Sequence, residues 1–243
     1  MKTLSMLTAI CLCLTLVAGT ALADRQVTVT KLAQDVQMYN ASKGSAADCA
    51  MGNLNPPAYA IGDWIWGAES YKYMFYADEA QCNCTEGFTV EAVHMYLQFG
   101  VDDVPVSFDA YVDFEEAAWD ELLGCWVPGP EVCSSPIYTV TISDPGLYDI
   151  SLPMTPGSCP CAYFGYWYGV SFNFITAFDN RPDAVTDDTP VGCVSWNDYG
   201  AGWQDLLDFG FPGEISIYAD ILCCDNPVSA DSKSFGDVKA LFR

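Results

Sequence analysis

The sequence is short of the residues that most enzymes and most polyanion binders depend on. Of its 243 residues only 9 are Lys or Arg, against 32 Asp or Glu, and one is histidine. A formal charge of −23 argues against nucleic acid or anionic lipid as a partner, because both are held by basic surfaces. The lone His94 excludes histidine-rich zinc sites, and any Ser-His-Asp or Cys-His centre has to be built on it. There is no Gly-x-Ser-x-Gly turn to raise a nucleophilic serine, and His94 reads as a strand residue on the wetter face. No catalytic residue is assigned, and the chain is not expected to be an enzyme.

Leucine is missing where a membrane span would need it. Residues 150–178 carry no charge, and Ala162 to Phe178 forms a proline-free run of 17 residues, the lower limit for a spanning helix. That run holds eight aromatics, two glycines and no leucine, which suits a buried strand. No transmembrane segment is expected after removal of the N-terminus. There, Lys2, the apolar run Leu7 to Ala18 and Ala21-Leu22-Ala23 form a secretory signal peptide, 1–23. The protein is therefore expected to be secreted, at the cell surface or beyond.

Cysteine, by contrast, is abundant. Ten of the 12 lie beyond the signal peptide: Cys49, Cys82, Cys84, Cys125, Cys133, Cys159, Cys161, Cys193, Cys223 and Cys224. An even number in an exported chain implies a disulfide framework rather than zinc. Cysteines one or two positions apart rarely pair with each other, so Cys82/Cys84, Cys159/Cys161 and Cys223/Cys224 are expected to bridge to distant strands. Cys125 and Cys133 flank Trp-Val-Pro-Gly-Pro-Glu-Val and are the expected local bridge, closing a proline-rich loop; the order of the remainder is open.

Period-two alternation dominates from residue 56. Val93, Met95, Leu97 and Phe99 form one apolar stripe, and Phe108, Ala110, Val112 and Phe114 another, with Ser107, Asp109, Tyr111 and Asp113 opposite. Phe164 to Phe174 and Ile215 to Ile221 repeat the pattern, with turns such as Asp144-Pro145-Gly146 between. Seven or eight strands predict an all-β chain, an antiparallel, disulfide-stapled β-sandwich of jelly-roll-like path. Glu115 to Leu123 and Gly200 to Phe209 are read as short helical turns. The organisation is a signal peptide, a lead-in over 24–55 with an edge strand, a sandwich over 56–225, and a linker with a basic tail over 226–243.

Two sets of side chains stand out. Trp64 and Trp66, with Trp196, Asn197, Asp198, Tyr199 and Trp203, combine flat aromatic faces with amides and carboxylates, the chemistry of sugar binding, although such tryptophans also plug sandwich ends. Asp179, Asp183, Asp187 and Asp188 offer oxygens for calcium, the one cofactor this composition suggests, without the glycine or final glutamate of an EF-hand. No Glu-x-Asp-x-x-Glu strand supports a glycosidase, although carboxylates are plentiful.

Four further segments carry a resemblance: Gly87-Phe88-Thr89-Val90 after a cysteine cluster, Val185-Thr186-Asp187-Asp188, the run Cys193 to Trp203, and Phe209-Gly210-Phe211-Pro212-Gly213. With the tail Ser234 to Arg243, they make the chain resemble uncharacterised secreted β-sandwich proteins of bacteria. The resemblance implies an exported jelly-roll-like module and transfers no activity. The function expected is a non-catalytic extracellular binding module for a polysaccharide. The alternatives are a structural component of the cell surface or an extracellular assembly and, less favoured, a carboxylate-dependent glycoside hydrolase.

Overall fold

A computed structural model describes residues 28–31, 49–82 and 84–224. The signal peptide, much of the lead-in and the C-terminal tail lie outside the described residues. The chain runs through β1 (Thr28–Lys31), β2 (Cys49–Gly52), β3 (Tyr59–Gly62), β4 (Ser70–Tyr76), α1 (Glu79–Cys82), β5 (Phe88–Phe99), β6 (Val106–Asp120) and β7 (Cys125–Ser134). It continues through β8 (Tyr138–Ile142), β9 (Gly146–Pro153), β10 (Trp167–Phe174), β11 (Asp183–Thr186), β12 (Ser195–Asp198), β13 (Gln204–Asp205), a 3-10 turn (Leu206–Phe209) and β14 (Ile217–Cys223).

These strands form an antiparallel sandwich of two sheets. The first runs β1-β3-β11-β5-β14-β2, with β9 also paired to β5; the second runs β13-β12-β4-β10-β6-β7, with β8 also paired to β6. The predicted stripes meet between them. Val93, Met95, Leu97 and Phe99 face Phe108, Val112 and Phe114, Val170 and Phe172, all essentially inaccessible to water. Burying such side chains contributes about 1.5–3 kcal/mol each. The lead-in supplies an edge strand, as expected: β1 ends the first sheet against β3.

Three readings are corrected. The described residues hold 14 strands, not seven or eight, because short segments such as β11, β12 and β13 pair without a long alternating pattern. Glu115 to Leu123 is no helix: β6 stays extended to Asp120 because β7 pairs with it, and tertiary pairing overrides the helix propensity of Glu-Glu-Ala-Ala. Of the stretch Gly200 to Phe209, only Leu206–Phe209 is helical.

Cys125 and Cys133 do not pair. Both lie on β7, opposite Asp120 and Phe114, which are six residues apart on β6, and so are separated by roughly 20 Å. The proline-rich segment between them is not a loop but a bulged strand laid on β6. A Cβ at Gly129 would come within 2.4 Å of the Glu116 carbonyl oxygen, so glycine permits the close approach. The bridges are Cys125–Cys193, Cys133–Cys159, Cys161–Cys224, Cys84–Cys223 and Cys49–Cys82. As expected, each member of the three close pairs reaches a distant partner. The last four bridges form a relay through those pairs, from β7 by way of residues 159–161 to the end of β14, then to β2.

Candidate functional site

Aromatic side chains gather on the surface where β6, β7 and β10 come together. Trp126 of β7, Tyr163 and Tyr166 of the segment before β10, and Trp167 at its start line a cleft of about 250 Å³, with Glu116 and Ala117 of β6 beside them. Tyr163 and Tyr166 are 64% and 62% exposed. Trp119 stands edge-to-face against Trp126, centroids 5.5 Å apart, and Tyr76 tilts against Trp167 at 6.0 Å. The volume is just below the ~300 Å³ at which enclosed small-molecule sites begin. It suits a ligand laid across an open platform.

The cleft is fixed by what lies beneath it. Phe164 turns inward onto Phe88, centroids 5.2 Å apart, which leaves its neighbours Tyr163 and Tyr166 outward. The Tyr168 hydroxyl donates to the Tyr163 carbonyl at 3.0 Å and accepts from the Tyr163 amide at 3.2 Å. Backbone bonds Ala77 N–Tyr166 O and Gly165 N–Ala77 O tie the segment to the end of β4. The bridges Cys133–Cys159 and Cys161–Cys224 anchor its start. Rigid aromatic faces lose little entropy on binding.

The two tryptophan loops singled out in the sequence behave differently. Trp64 is 1% exposed and sits edge-on to Phe209 and Phe211 at 5.5 and 4.8 Å, and Trp196 is also buried. Neither offers a face to a ligand; both plug the fold, as large apolar rings usually do. Asn197 is fully buried, donating to Glu69 Oε2 and to the Ser70 carbonyl, both at 3.1 Å. Trp66 is half-buried under the Arg181 guanidinium, 3.3 Å from its ring centroid. Trp203 is half-buried against Lys72 Nζ at 4.0 Å. Asp198 accepts from the amides of Gly200 and Gly202 and shapes the turn, while the Tyr199 hydroxyl bonds Gln204. Asp198 lines an open depression of about 330 Å³ together with Glu69, Ser70, Tyr111 and Asn173.

Beside that depression runs a polar row on the outer face of the second sheet. Lys72 is fully buried, ion-paired to Glu115, whose other oxygen accepts from Ser171 at 2.9 Å. Asp113 accepts from Asn173 at 2.8 Å, while its Oδ1 is buried with no partner. Burial, then the charges of Glu131 and Glu115, push the Asp113 carboxyl up to about 7. Asp113 and Glu115 lie two residues apart on one strand face, the spacing a glycosidase pair needs. Both Glu115 oxygens are already engaged, however, and Trp203 covers Lys72, which gives the row a supporting role under the sheet.

His94 forms the nearest approach to a catalytic chain. Its Nδ1 lies 3.1 Å from Asp149 Oδ1 and its Nε2 3.1 Å from Ser151 Oγ, the order of a Ser-His-Asp set. A second carboxylate, Asp220, stands 3.4 Å from the same Nε2. Burial opposes the charge, but the hydrogen bonds and charges of Asp149 and Asp220 raise the imidazole to about 9. An imidazolium takes no proton from a serine. Ser151 moreover lies mid-strand, opposite His94 in the β9–β5 ladder, away from any turn that would gather amides around an oxyanion.

A family profile, Domain of unknown function (DUF7451), matches residues 60–221, which is 162 of the 243 residues. The chain belongs to the DUF7451 family. Searches of curated proteins and of solved structures found no match. The DUF7451 span runs from β3 to β14 and contains the aromatic cleft, the polar row and His94. It also contains the four aspartates considered for calcium. There Asp187 is fully buried and accepts four hydrogen bonds, from Asn55 Nδ2, Thr189 N, Thr189 Oγ1 and Glu214 N. Asp183 accepts from the Asp63 amide, and Asp179 and Asp188 are exposed. Among the described residues no three His, Cys, Asp or Glu side chains converge on a common point for a metal, so the four aspartates are not gathered into one site. Asp187 instead pins the 187–189 turn to Gly213-Glu214.

The residues that the sequence reading missed in this DUF7451 chain are Trp119, Trp126, Tyr163, Tyr166 and Trp167. Aromatics of both parities at 163–168, around Gly165, were the available signal: a strand buried on one face does not alternate that way.

Proposed function

We propose that this DUF7451 protein is an extracellular, non-catalytic binding module whose ligand is a polysaccharide laid across the aromatic cleft. The observation that carries the reading is the pre-formed set Trp126, Tyr163, Tyr166 and Trp167, with two rings more than 60% exposed around one depression. Aromatic planes receive the CH faces of sugar rings, the tyrosine hydroxyls donate or accept hydrogen bonds with sugar hydroxyls, and the Glu116 carboxylate accepts from them. Five disulfides support residence in an oxidising compartment. The charged His94 and the engaged Glu115 favour binding over turnover.

The test is a glycan array with the full, oxidised chain, followed by titration of each hit against Trp126→Ala and Tyr166→Ala. The reading expects selective hits weakened at least about tenfold by either change, from one lost stacking face each. Hits that both variants keep at wild-type strength would move the site away from the cleft.

A second reading, a component of a surface assembly, draws on one other feature. The β6–β7 hairpin ends in Leu122 and Leu123, 96% and 60% exposed, beside the half-exposed Trp119. It expects the Leu122→Ser/Leu123→Ser double variant to lose self-association or attachment while keeping its fold.

A further inference from the structure

The cations between residues 49 and 224 are all committed elsewhere. Between residues 49 and 224 the sequence holds two strong bases, Lys72 and Arg181, besides His94, against 26 carboxylates. Lys72 is buried between Glu115 and the ring of Trp203. Arg181 lies on Trp66. His94 is held between Asp149 and Asp220. Both strong bases thus sit over tryptophan faces, where the negative centre of the ring attracts a cation.

The aromatic cleft has the same two ingredients and, among its described lining residues, no cation to complete them. Five aromatic side chains line it, its one charged lining residue is the exposed Glu116, and among the described residues no lysine or arginine lines it. The net charge of −23 adds a long-range field that draws cations toward the surface. A neutral sugar would use the rings and leave the Glu116 charge and this field without a role.

We infer that the ligand of the aromatic cleft is a polysaccharide of amine-bearing sugars, its rings stacked on Trp126 and Trp167 and its ammonium groups paired with Glu116. The inference rests on the polysaccharide reading above and narrows it to a cationic glycan. Stacking and charge act on the same sugar residue: the ring's CH face meets the indole, while the protruding ammonium reaches the carboxylate at the edge of β6. An acetamide or hydroxyl at that position keeps the first contact and loses the second.

The experiment uses three β-1,4-linked glucose-type hexasaccharides that differ only at C2, carrying an amine, an acetamide or a hydroxyl. Each is titrated calorimetrically into the full, oxidised chain at mildly acidic pH, where the amines are protonated, at low and at raised salt. The expected result is binding of the amine form at least about tenfold tighter than of the other two, the margin shrinking with salt. Glu116→Gln should erase the preference while keeping the weaker common binding, and Trp126→Ala should weaken all three.

Equal binding of all three hexasaccharides would overturn the cationic inference and leave the polysaccharide reading standing. Failure of all three to bind would remove this inference and count against that reading as well, with the wider array then deciding the latter. Trp126→Ala and Glu116→Gln variants that both keep the full preference for the amine form would show general attraction to an acidic surface, and would also overturn the proposal.

Discussion

The ring of His94 lies nearly flat on the ring of Tyr218, centroids 4.4 Å apart and planes 15° apart, while the Tyr218 hydroxyl donates to Asp149 at 2.6 Å. The stack packs the imidazolium beside Asp149 and Asp220 and sets the alkaline limit of the fold. Its pKa is raised from 6.5 to about 9, so the stabilisation it gives is complete below about 6.5 and is lost as pH rises through 9. Asp113 and Glu214 act with the same sign, because burial lifts both to about 7 from 3.8 and 4.5. Their contribution is complete below about 4 and is lost as pH rises through 7. Calorimetric melting should therefore show a Tm roughly 5 °C or more higher at pH 5 than at pH 8, with a further fall toward pH 10. In His94→Gln the alkaline fall should be absent. A melting profile that rises from pH 5 to pH 8 would contradict the assignment of all three groups.

Asp113 carries a buried oxygen without a partner and stands among carboxylates. Asp113→Asn removes the charge and keeps an acceptor for Asn173. It should stabilise the protein by about 1 kcal/mol at pH 8 and by nothing at pH 4, where Asp113 is already neutral. Urea unfolding at the two pH values measures the difference. A loss of stability at pH 8 would show that the ionised form is the one the fold uses.

Lys72 and Glu115 are a buried pair, and truncating one partner strands the other charge. Lys72→Met should cost about 3–5 kcal/mol, and Lys72→Met combined with Glu115→Gln should recover a large part of that loss. A double-mutant cycle from urea melts reads the coupling directly. If the two losses simply add, the pair does not hold the polar row together.

Non-reducing peptide maps should join Cys125 to Cys193 and Cys133 to Cys159, and none should join Cys125 to Cys133. The Cys125→Ala/Cys193→Ala variant should lose about 3–4 kcal/mol, because the bridge spans a sequence separation of 68. The bridges that anchor residues 159–166 are others, so Tyr163 and Tyr166 should stay in place while Trp126, next to Cys125, loses its covalent anchor.

What the sequence displayed was the inner surface of the sandwich. A stripe such as Phe108-Ala110-Val112-Phe114 has one physical explanation at period two, and its buried face follows from it. The outer face was legible only as polar. That Lys72 is buried there involves Trp203, more than a hundred residues away in sequence, and no local pattern encodes such cover. The prolines in Trp126-Val-Pro-Gly-Pro suggested a loop, yet β7 accommodates them as a bulged strand, which moved Cys125 and Cys133 apart. The same bulged strand carries Trp126 into the cleft. Aromatic content alone could not separate this half-buried tryptophan from the fully buried Trp64, since the difference lies in which neighbours the fold brings to each ring.

The relay of cysteine pairs gives the molecule a direction of strength. A pull applied between β7 and β2 is transmitted through Cys133–Cys159, Cys161–Cys224, Cys84–Cys223 and Cys49–Cys82. Between successive bridges it crosses a sequence separation of at most two residues, and it ends at Cys49, the first residue of β2. Along that line covalent bonds share the load with the hydrogen bonds and core packing of the two sheets. The segment leading to Tyr163 and Tyr166 begins on this line, so a pull on those two rings loads sulfur–sulfur bonds as well as the sheet that holds Trp126 and Trp167.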